Sequence, residues 1–149
     1  MGKQFALASF LALIVLLLDQ LSKWGVSRII ALGDSVPLIP SVVYLTHIRN
    51  TGAGFGLFQG RQWLLIWISV IVLGVIFYLW DKIPEKKYVQ IGVGFILGGT
   101  LGNLIDRLFY GAVVDFIDFR FWPAFNVADS ALTIGAILLG IYFIRDGKK

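Results

Sequence analysis

The sequence predicts an α-helical integral membrane protein with four transmembrane helices, a small extracytoplasmic β-sheet and a short interfacial helix. Hydrophobic residues make up 58% of the 149 residues, whereas soluble domains are typically about half apolar. The apolar residues gather in four runs, and a membrane crossing needs roughly 17–25 mostly apolar residues. The polar residues instead concentrate in three short stretches rich in Gly, Asn and Asp. One membrane-embedded domain, residues 1–149, is expected at this length.

The four predicted spans cover about residues 5–24, 63–80, 88–105 and 126–144. Basic residues near their ends are unequally distributed between the two faces. Seven lie on one face (Lys3, Lys82, Lys86, Lys87, Arg145, Lys148 and Lys149) and four on the other (Arg28, Arg49, Arg61 and Arg120). Because cytoplasmic loops carry the excess of Lys and Arg, both termini and the 81–87 loop are expected in the cytoplasm.

Two connections, about residues 26–61 and 108–125, are then expected on the outer face. In the first, Val42–Ile48 is rich in β-branched and aromatic residues and predicts a strand. The Gly-rich run from Thr51 to Gly60 is a candidate to return as its hairpin partner. The second connection is interpreted as a short interfacial helix that ends at Pro123.

The composition also bounds the chemistry. The chain has no cysteine and a single histidine, His47. Disulfides and thiolate catalysis are therefore excluded, and a typical zinc site is not expected. Neither a metal nor a cofactor is predicted. The net charge of +4 is modest and lies mostly at one face, which indicates membrane orientation and not nucleic-acid binding.

Three acidic residues, Asp19, Asp106 and Asp129, share a predicted depth. At about 1.5 Å per residue, each lies about 24–27 Å from the cytoplasmic end of its span. All three therefore lie near the outer boundary of a hydrocarbon core about 30 Å thick. Ionisable residues in such segments are costly and indicate a functional site by default. A single site that faces outward explains the shared depth.

The third span carries two informative spacings. Asn103, Asp106 and Arg107 lie at i, i+3 and i+4 and share a helical face; Asp106 and Arg107 are expected to form a local ion pair. Gly94, Gly98 and Gly102 are each four residues apart and form a stripe without side chains along the helix. Such a stripe lets helices approach closely, so this span is predicted at the centre of the bundle.

Other polar residues have ordinary interpretations when taken singly. Asp19 and Lys23 lie at i, i+4 and are a candidate ion pair. Asp129 is a first-turn carboxylate for which Asn126 is a candidate cap. Asp115 alone is equally consistent with a loop acid. Taken together at one depth, these residues favour a shared site.

Asp115 and Asp129 are candidates for a carboxylate pair. Two close carboxylates share a proton, because both cannot ionise easily. The ionised member can take a proton from water while the protonated member polarises a carbonyl, which hydrolyses a peptide bond. Because the two pKa values belong to the pair, acid and base roles are not assigned to either residue.

Five blocks of sequence carry a family resemblance: residues 19–23 (DQLSK), 50–56 (NTGAGFG), 98–107 (GGTLGNLIDR), 111–116 (GAVVDF) and 125–130 (FNVADS). In this order they resemble the lipoprotein signal peptidase family (type II signal peptidases), over almost the whole chain. The resemblance implies a bacterial inner-membrane aspartyl endopeptidase. Its substrate would be a prolipoprotein, cut before a diacylglyceryl-modified cysteine near the outer face.

The resemblance also implies roles for individual residues. The catalytic pair carries over to Asp115 and Asp129. Supporting positions carry over to eight residues: Asp19, Lys23, Asn50, Gly52, Asn103, Asp106, Arg107 and Asn126. Membrane lipid and globomycin-type inhibitors are the other implied partners. Gly54 departs from the family pattern, in which this position is usually alanine.

Two other classes of protein are alternatives to a protease. A proton-coupled transporter also uses membrane carboxylates, but transporters place their sites near the midplane and carry internal repeats. Neither feature is evident in this sequence. A non-catalytic scaffold explains the glycine stripe but not the paired acids.

Overall fold

Four α-helices, a short 3₁₀ helix (Trp80–Lys82) and the three strands of one sheet alternate along the chain in the computed structural model, which describes residues 3–54 and 57–146. The helices are α1 (Lys3–Ile29), α2 (Gln62–Tyr78), α3 (Lys87–Tyr110) and α4 (Val127–Arg145). The strands are β1 (Ser35–Ile39), β2 (Val43–Asn50) and β3 (Val113–Asp118). The predicted helical fold with a small sheet is confirmed in this form.

Three of these helices, α1, α3 and α4, are long and apolar enough to cross a membrane. The second helix, α2, is also apolar but has 17 residues, which lies at the lower end of the usual range. The fourth crossing therefore stays a prediction.

The third helix, α3, is the centre of the bundle, because it packs against α1, α2 and α4. On its α1 side, a Cβ atom at Gly94 would lie 2.6 Å from the Ala8 carbonyl oxygen, and one at Gly98 would lie 2.6 Å from that of Ala12. Only glycine permits this approach of the two backbones. The predicted central place of the third span is confirmed.

The sheet is antiparallel, with the order β1-β2-β3. Strand β2 confirms the strand predicted from Val42–Ile48. Its expected hairpin partner was wrong: β2 pairs with β1 on one side and with β3 on the other. The described part of 51–60 forms bends and turns. Its glycines lower strand propensity, whereas β1 and β3 supply Val and Ile.

The interfacial helix expected within 108–125 was also wrong. The third helix continues to Tyr110 and ends at Gly111, whose φ of +74° is left-handed, a common helix stop. The β-branched and aromatic run that follows forms β3, because β2 offers it a free edge. An isolated bridge between Ile117 and Phe125 then closes the loop that leads to α4.

Candidate active site

Asp115 reaches the site from β3. The register pairs Ile48 with Asp115 and Asn50 with Val113, so Asn50 and Asp115 are diagonal neighbours on one face of the sheet. The Asn50 Nδ2 atom donates to Asp115 Oδ2 at 2.9 Å. Only 2% of Asp115 is exposed, so its carboxyl group depends on protein donors.

Asp129 reaches the same site from the first turn of α4. Its backbone N–H donates to Asn126 Oδ1 at 2.9 Å, which caps the helix. The capping interpretation of Asn126 is therefore correct, but the residue also does more. Its Nδ2 atom donates to Asp115 Oδ1 at 2.7 Å. One buried asparagine thus joins the two members of the aspartate pair (Asp115 and Asp129).

Asn103 contacts Asp129 from α3. Its Nδ2 atom donates to Asp129 Oδ1 at 2.8 Å. Its Oδ1 atom accepts from Lys23 Nζ at 3.0 Å and from Asn126 Nδ2 at 3.3 Å. Because two donors converge on that oxygen, the amide nitrogen must face Asp129.

The pKa of Asp115 is raised to about 7. Burial is the main cause, because it disfavours the charged carboxylate, and the negative charge of Asp129 adds to it. Hydrogen bonds from Asn50 and Asn126 act in the opposite direction. A proton on Asp115 near neutral pH is what a carboxylate pair that shares a proton requires.

A buried ion cluster, which we call the lysine brace (Asp19, Lys23 and Asp106), lies beneath the pair. Lys23 Nζ lies 2.7 Å from Asp19 Oδ2 and 2.8 Å from Asp106 Oδ2. The predicted Asp19–Lys23 pairing is present. The expected Asp106–Arg107 pair was wrong: Asp106 pairs with Lys23, since adjacent side chains on a helix point in different directions.

The lysine brace also holds two backbone segments. Asp19 Oδ1 accepts from the backbone N–H of Ala128 at 2.9 Å. Asp106 Oδ2 accepts from that of Val114 at 3.3 Å. Ala128 and Val114 immediately precede the two members of the aspartate pair. One buried lysine therefore links the two chain segments that carry the pair.

Gln20 belongs to this network, although it was absent from the predicted site. Its Nε2 atom lies 3.0 Å from Asp106 Oδ1, 3.2 Å from Asp19 Oδ2 and 3.2 Å from the Gly102 carbonyl oxygen. The only signal for it in the sequence is a polar residue inside an apolar span. That signal does not distinguish a network member from a residue at the membrane surface.

Gly52 lies in the loop that follows β2, and Arg107 lies in the last turn of α3. The Gly52 N–H donates to Asn50 Oδ1 at 2.8 Å, and its carbonyl accepts from Arg107 Nη2 at 3.2 Å. A Cβ atom at Gly52 would lie 2.8 Å from the Leu57 carbonyl oxygen, so the position requires glycine. Arg107 thus fixes this loop to α3.

A cavity of about 500 Å³ opens beside the aspartate pair. We call it the cleft. It is lined by Asn50, Gly54, Asp115, residues 122–125, residues 129–130 and residues 132–134. Because Ile134 lies about 7.5 Å along α4 from Asp129 at 1.5 Å per residue, the cleft follows that helix away from the pair. No site role was predicted from the sequence for residues 122–124 or for Thr133, whereas Phe125 and Ser130 belong to the 125–130 block.

Ten predicted site residues therefore converge around one cleft or its support. The side-chain contacts between them join residues far apart in the chain, such as Lys23 and Asp106. The roles assigned to them remain predictions, which the geometry makes chemically reasonable.

Comparisons with known proteins point to one family. Residues 11–145 match the family model described as Signal peptidase (SPase) II. A protein of Shouchella clausii named lipoprotein signal peptidase is 45% identical over 145 residues, which cover 96% of each chain. One from Halalkalibacterium halodurans with the same name is 45% identical over 143 residues, 93% of this chain and 92% of the relative.

Two solved structures are also similar, and both are described as bacterial membrane enzymes. The first has a TM-score of 0.88 and 35% identity, and it covers 94% of this chain and 88% of that chain. The second has a TM-score of 0.83 and 36% identity, and it covers 93% of both chains.

Proposed function

Because the chain belongs to the signal peptidase II family, we propose that it is a membrane aspartyl endopeptidase that removes signal peptides from bacterial prolipoproteins. It cuts before a diacylglyceryl-modified cysteine. The observation that carries the aspartyl mechanism is that Asp115 and Asp129 line one cleft. Asn126 lies between β3 and α4, donates to the Asp115 carboxyl group and accepts from the backbone N–H of Asp129.

In the proposed reaction the aspartate pair holds one proton. The ionised carboxylate accepts a proton from a water molecule as that water attacks the scissile carbonyl. The protonated carboxyl donates a hydrogen bond to the carbonyl oxygen, which stabilises the charge that develops there. The pKa of about 7 at Asp115 supports a shared proton at neutral pH. The two steps belong to the pair and are not divided between its members.

The remaining predicted site residues orient the pair. Asn103 and Asn126 supply amide donors to the two carboxylates. Asn50 donates to Asp115 and, through Gly52, sets the start of the loop at the cleft. Preorganised donors of this kind need no rearrangement as the reaction proceeds, which lowers the barrier.

The lysine brace has a separate role in this proposal. It keeps β3 and the start of α4 at a fixed separation, because Asp106 holds Val114 and Asp19 holds Ala128. The distance between two catalytic carboxylates decides whether they can share a proton. We therefore assign Asp19, Lys23 and Asp106 as positioning residues.

The proposed setting is the bacterial cytoplasmic membrane, with four crossings, both termini in the cytoplasm and the cleft near the outer face. A signal peptide is itself an apolar helix, so it must enter from the lipid. The cleft runs along α4 as far as Ile134, and Ile137 further along that helix is 57% exposed. This apolar surface supports entry from the lipid side.

The test uses the purified wild-type protein in detergent with two forms of one prolipoprotein. One form carries the diacylglyceryl group on its cysteine and the other is unmodified. We expect mass spectrometry to detect loss of the signal peptide from the modified form only, and globomycin to block it. A folded wild-type protein that cuts neither form would contradict the proposal and favour a transport function for the carboxylates.

A further inference from the structure

Gly54 is an exposed glycine on the wall of the cleft. Its backbone does not require glycine, because only Gly33, Gly60 and Gly111 have positive φ among the described glycines. Packing against the described residues does not require it either, because an added Cβ atom would have none of their atoms within 4 Å. The absence of a side chain here therefore leaves space in the cleft instead of satisfying the fold.

The neighbouring residues hold Gly54 in place. Gly52 is fixed by Asn50 and Arg107, and the Ala53 N–H donates to the Leu57 carbonyl oxygen at 2.8 Å. The backbone at Gly54 is thus held on its amino-terminal side. A side chain introduced at this position would reduce the space in the cleft, because Gly54 lines it and the preceding residues are held by hydrogen bonds.

The cleft is lined by several apolar groups near the aspartate pair, including Pro123, Phe125 and Leu132. This inference rests on the proposed function, in which the residue after the scissile bond is always the modified cysteine. Of the two residues that flank that bond, only the one before it varies, so extra space beside the pair acts on the choice of that residue. We propose that Gly54 is a specificity-determining residue that sets the size limit for the substrate side chain immediately before the scissile bond.

The experiment measures how strongly the protein discriminates between substrates, not its overall rate of cleavage. Matched diacylglyceryl-modified prolipoproteins carry Gly, Ala, Ser or Val immediately before the modified cysteine. The ratio of kcat/KM for the Gly substrate to that for the largest residue cleaved is determined for wild type and for Gly54→Ala. One methyl group in an apolar pocket typically changes selectivity by about 10–200-fold, so we expect the ratio to rise about tenfold.

Gly74→Ala is the matched control, because Gly74 lies within α2, outside the cleft, and an added Cβ atom there also meets nothing within 4 Å. Its ratio is expected to equal that of wild type. Gly54→Ser adds a side chain of similar size and serves if Gly54→Ala does not fold. The thermal stability of each variant is measured in the same experiment.

The outcomes separate two kinds of failure. An unchanged ratio in folded Gly54→Ala, or an equal change in Gly74→Ala, overturns the role of Gly54 while cleavage by wild type still stands. A wild-type protein that cleaves none of the four substrates contradicts the proposed function and this inference with it.

Discussion

Asp115 is the residue whose surroundings most directly determine a response to pH. Burial and the charge of Asp129 raise its pKa to about 7. The pair is active with one proton, so cleavage should decline as pH rises through about 7 and that proton is lost. The same sign holds for stability. Protonated Asp115 favours the folded state at low pH, and this contribution is lost as pH rises from the unfolded pKa near 4 to about 7.

Asn50→Ala tests this assignment. The Asn50 hydrogen bond favours the ionised form and lowers the pKa of Asp115. Its removal should raise that pKa and move the alkaline limb of the kcat/KM profile upward by roughly 0.5–1 pH unit, since a hydrogen bond contributes about 1 kcal/mol. Thr46→Ala, which removes a hydrogen bond to Asp118 on the same sheet, should leave the limb in place. A limb that is unchanged or lowered in Asn50→Ala contradicts the assignment.

At the scale of elements, the lysine brace joins α1, α3, β3 and the start of α4. Lys23 is 3% exposed and pairs with two buried carboxyl groups. Removing one partner of a buried ion pair leaves uncompensated charge and typically costs about 3–5 kcal/mol. The elements that carry the aspartate pair should then lose both stability and their relative position.

Lys23→Met should therefore lower the free energy of unfolding by about 3–5 kcal/mol, and it should reduce kcat in whatever fraction stays folded. Lys86→Met is the matched control. Lys86 pairs with Asp146 at 2.7 Å, but the lysine side chain is 45% exposed, so water compensates the loss. Circular dichroism during denaturation in detergent measures both variants. Equal losses of stability would show that burial of the brace has no special importance.

The helices and strands differ in how well the sequence predicts them. The third span could be placed at the centre because its glycines repeat every four residues, a local pattern with one packing consequence. Strand β3 could not be found in the same way. Its partner β2 lies more than sixty positions earlier, so a β-branched run beside Gly111 was interpreted as part of an interfacial helix.

The candidate site, too, was only partly predictable from the sequence. That Asp19, Asp106 and Asp129 lie at the same end of the bundle was predictable, because a helix has a fixed rise and each residue lies in a span; the depth of the site in a membrane stays a prediction. The wiring of the site was not predictable. That Asp106 bonds to Lys23, and that Asn126 bonds to Asp115, depends on tertiary contacts, for which spacing along one helix gives no information. Gln20 was missed for this reason.

At the scale of the whole molecule, the proposed orientation places the sheet outside and the loop between α2 and α3 in the cytoplasm. The chain has no cysteine, so a single introduced thiol reports its own side of the membrane. Asp34 lies just before β1 and Glu85 just before α3, and both residues are exposed. They are suitable sites for opposite faces.

We expect a membrane-impermeant maleimide added to intact spheroplasts to label Asp34→Cys and not Glu85→Cys. After the membrane is permeabilised, both should be labelled. Each variant must retain cleavage for the result to count. Labelling of Glu85→Cys from outside, with Asp34→Cys protected, would contradict the orientation and with it the place of the cleft near the outer face.

The aspartate pair is the central claim, and single substitutions test it most directly. Wild type, Asp115→Asn, Asp129→Asn and Asp118→Asn are purified in detergent and given the same diacylglyceryl-modified prolipoprotein. Asp118 is a buried aspartate at the end of β3 whose carboxylate accepts from Thr46 and Arg120. It controls for the loss of a carboxylate outside the pair.

The measured quantity is the mass lost with the signal peptide, together with circular dichroism to confirm that each variant is folded. We predict cleavage by wild type and Asp118→Asn, and none by folded Asp115→Asn or Asp129→Asn. Cleavage that survives either substitution in the pair would contradict the aspartyl mechanism.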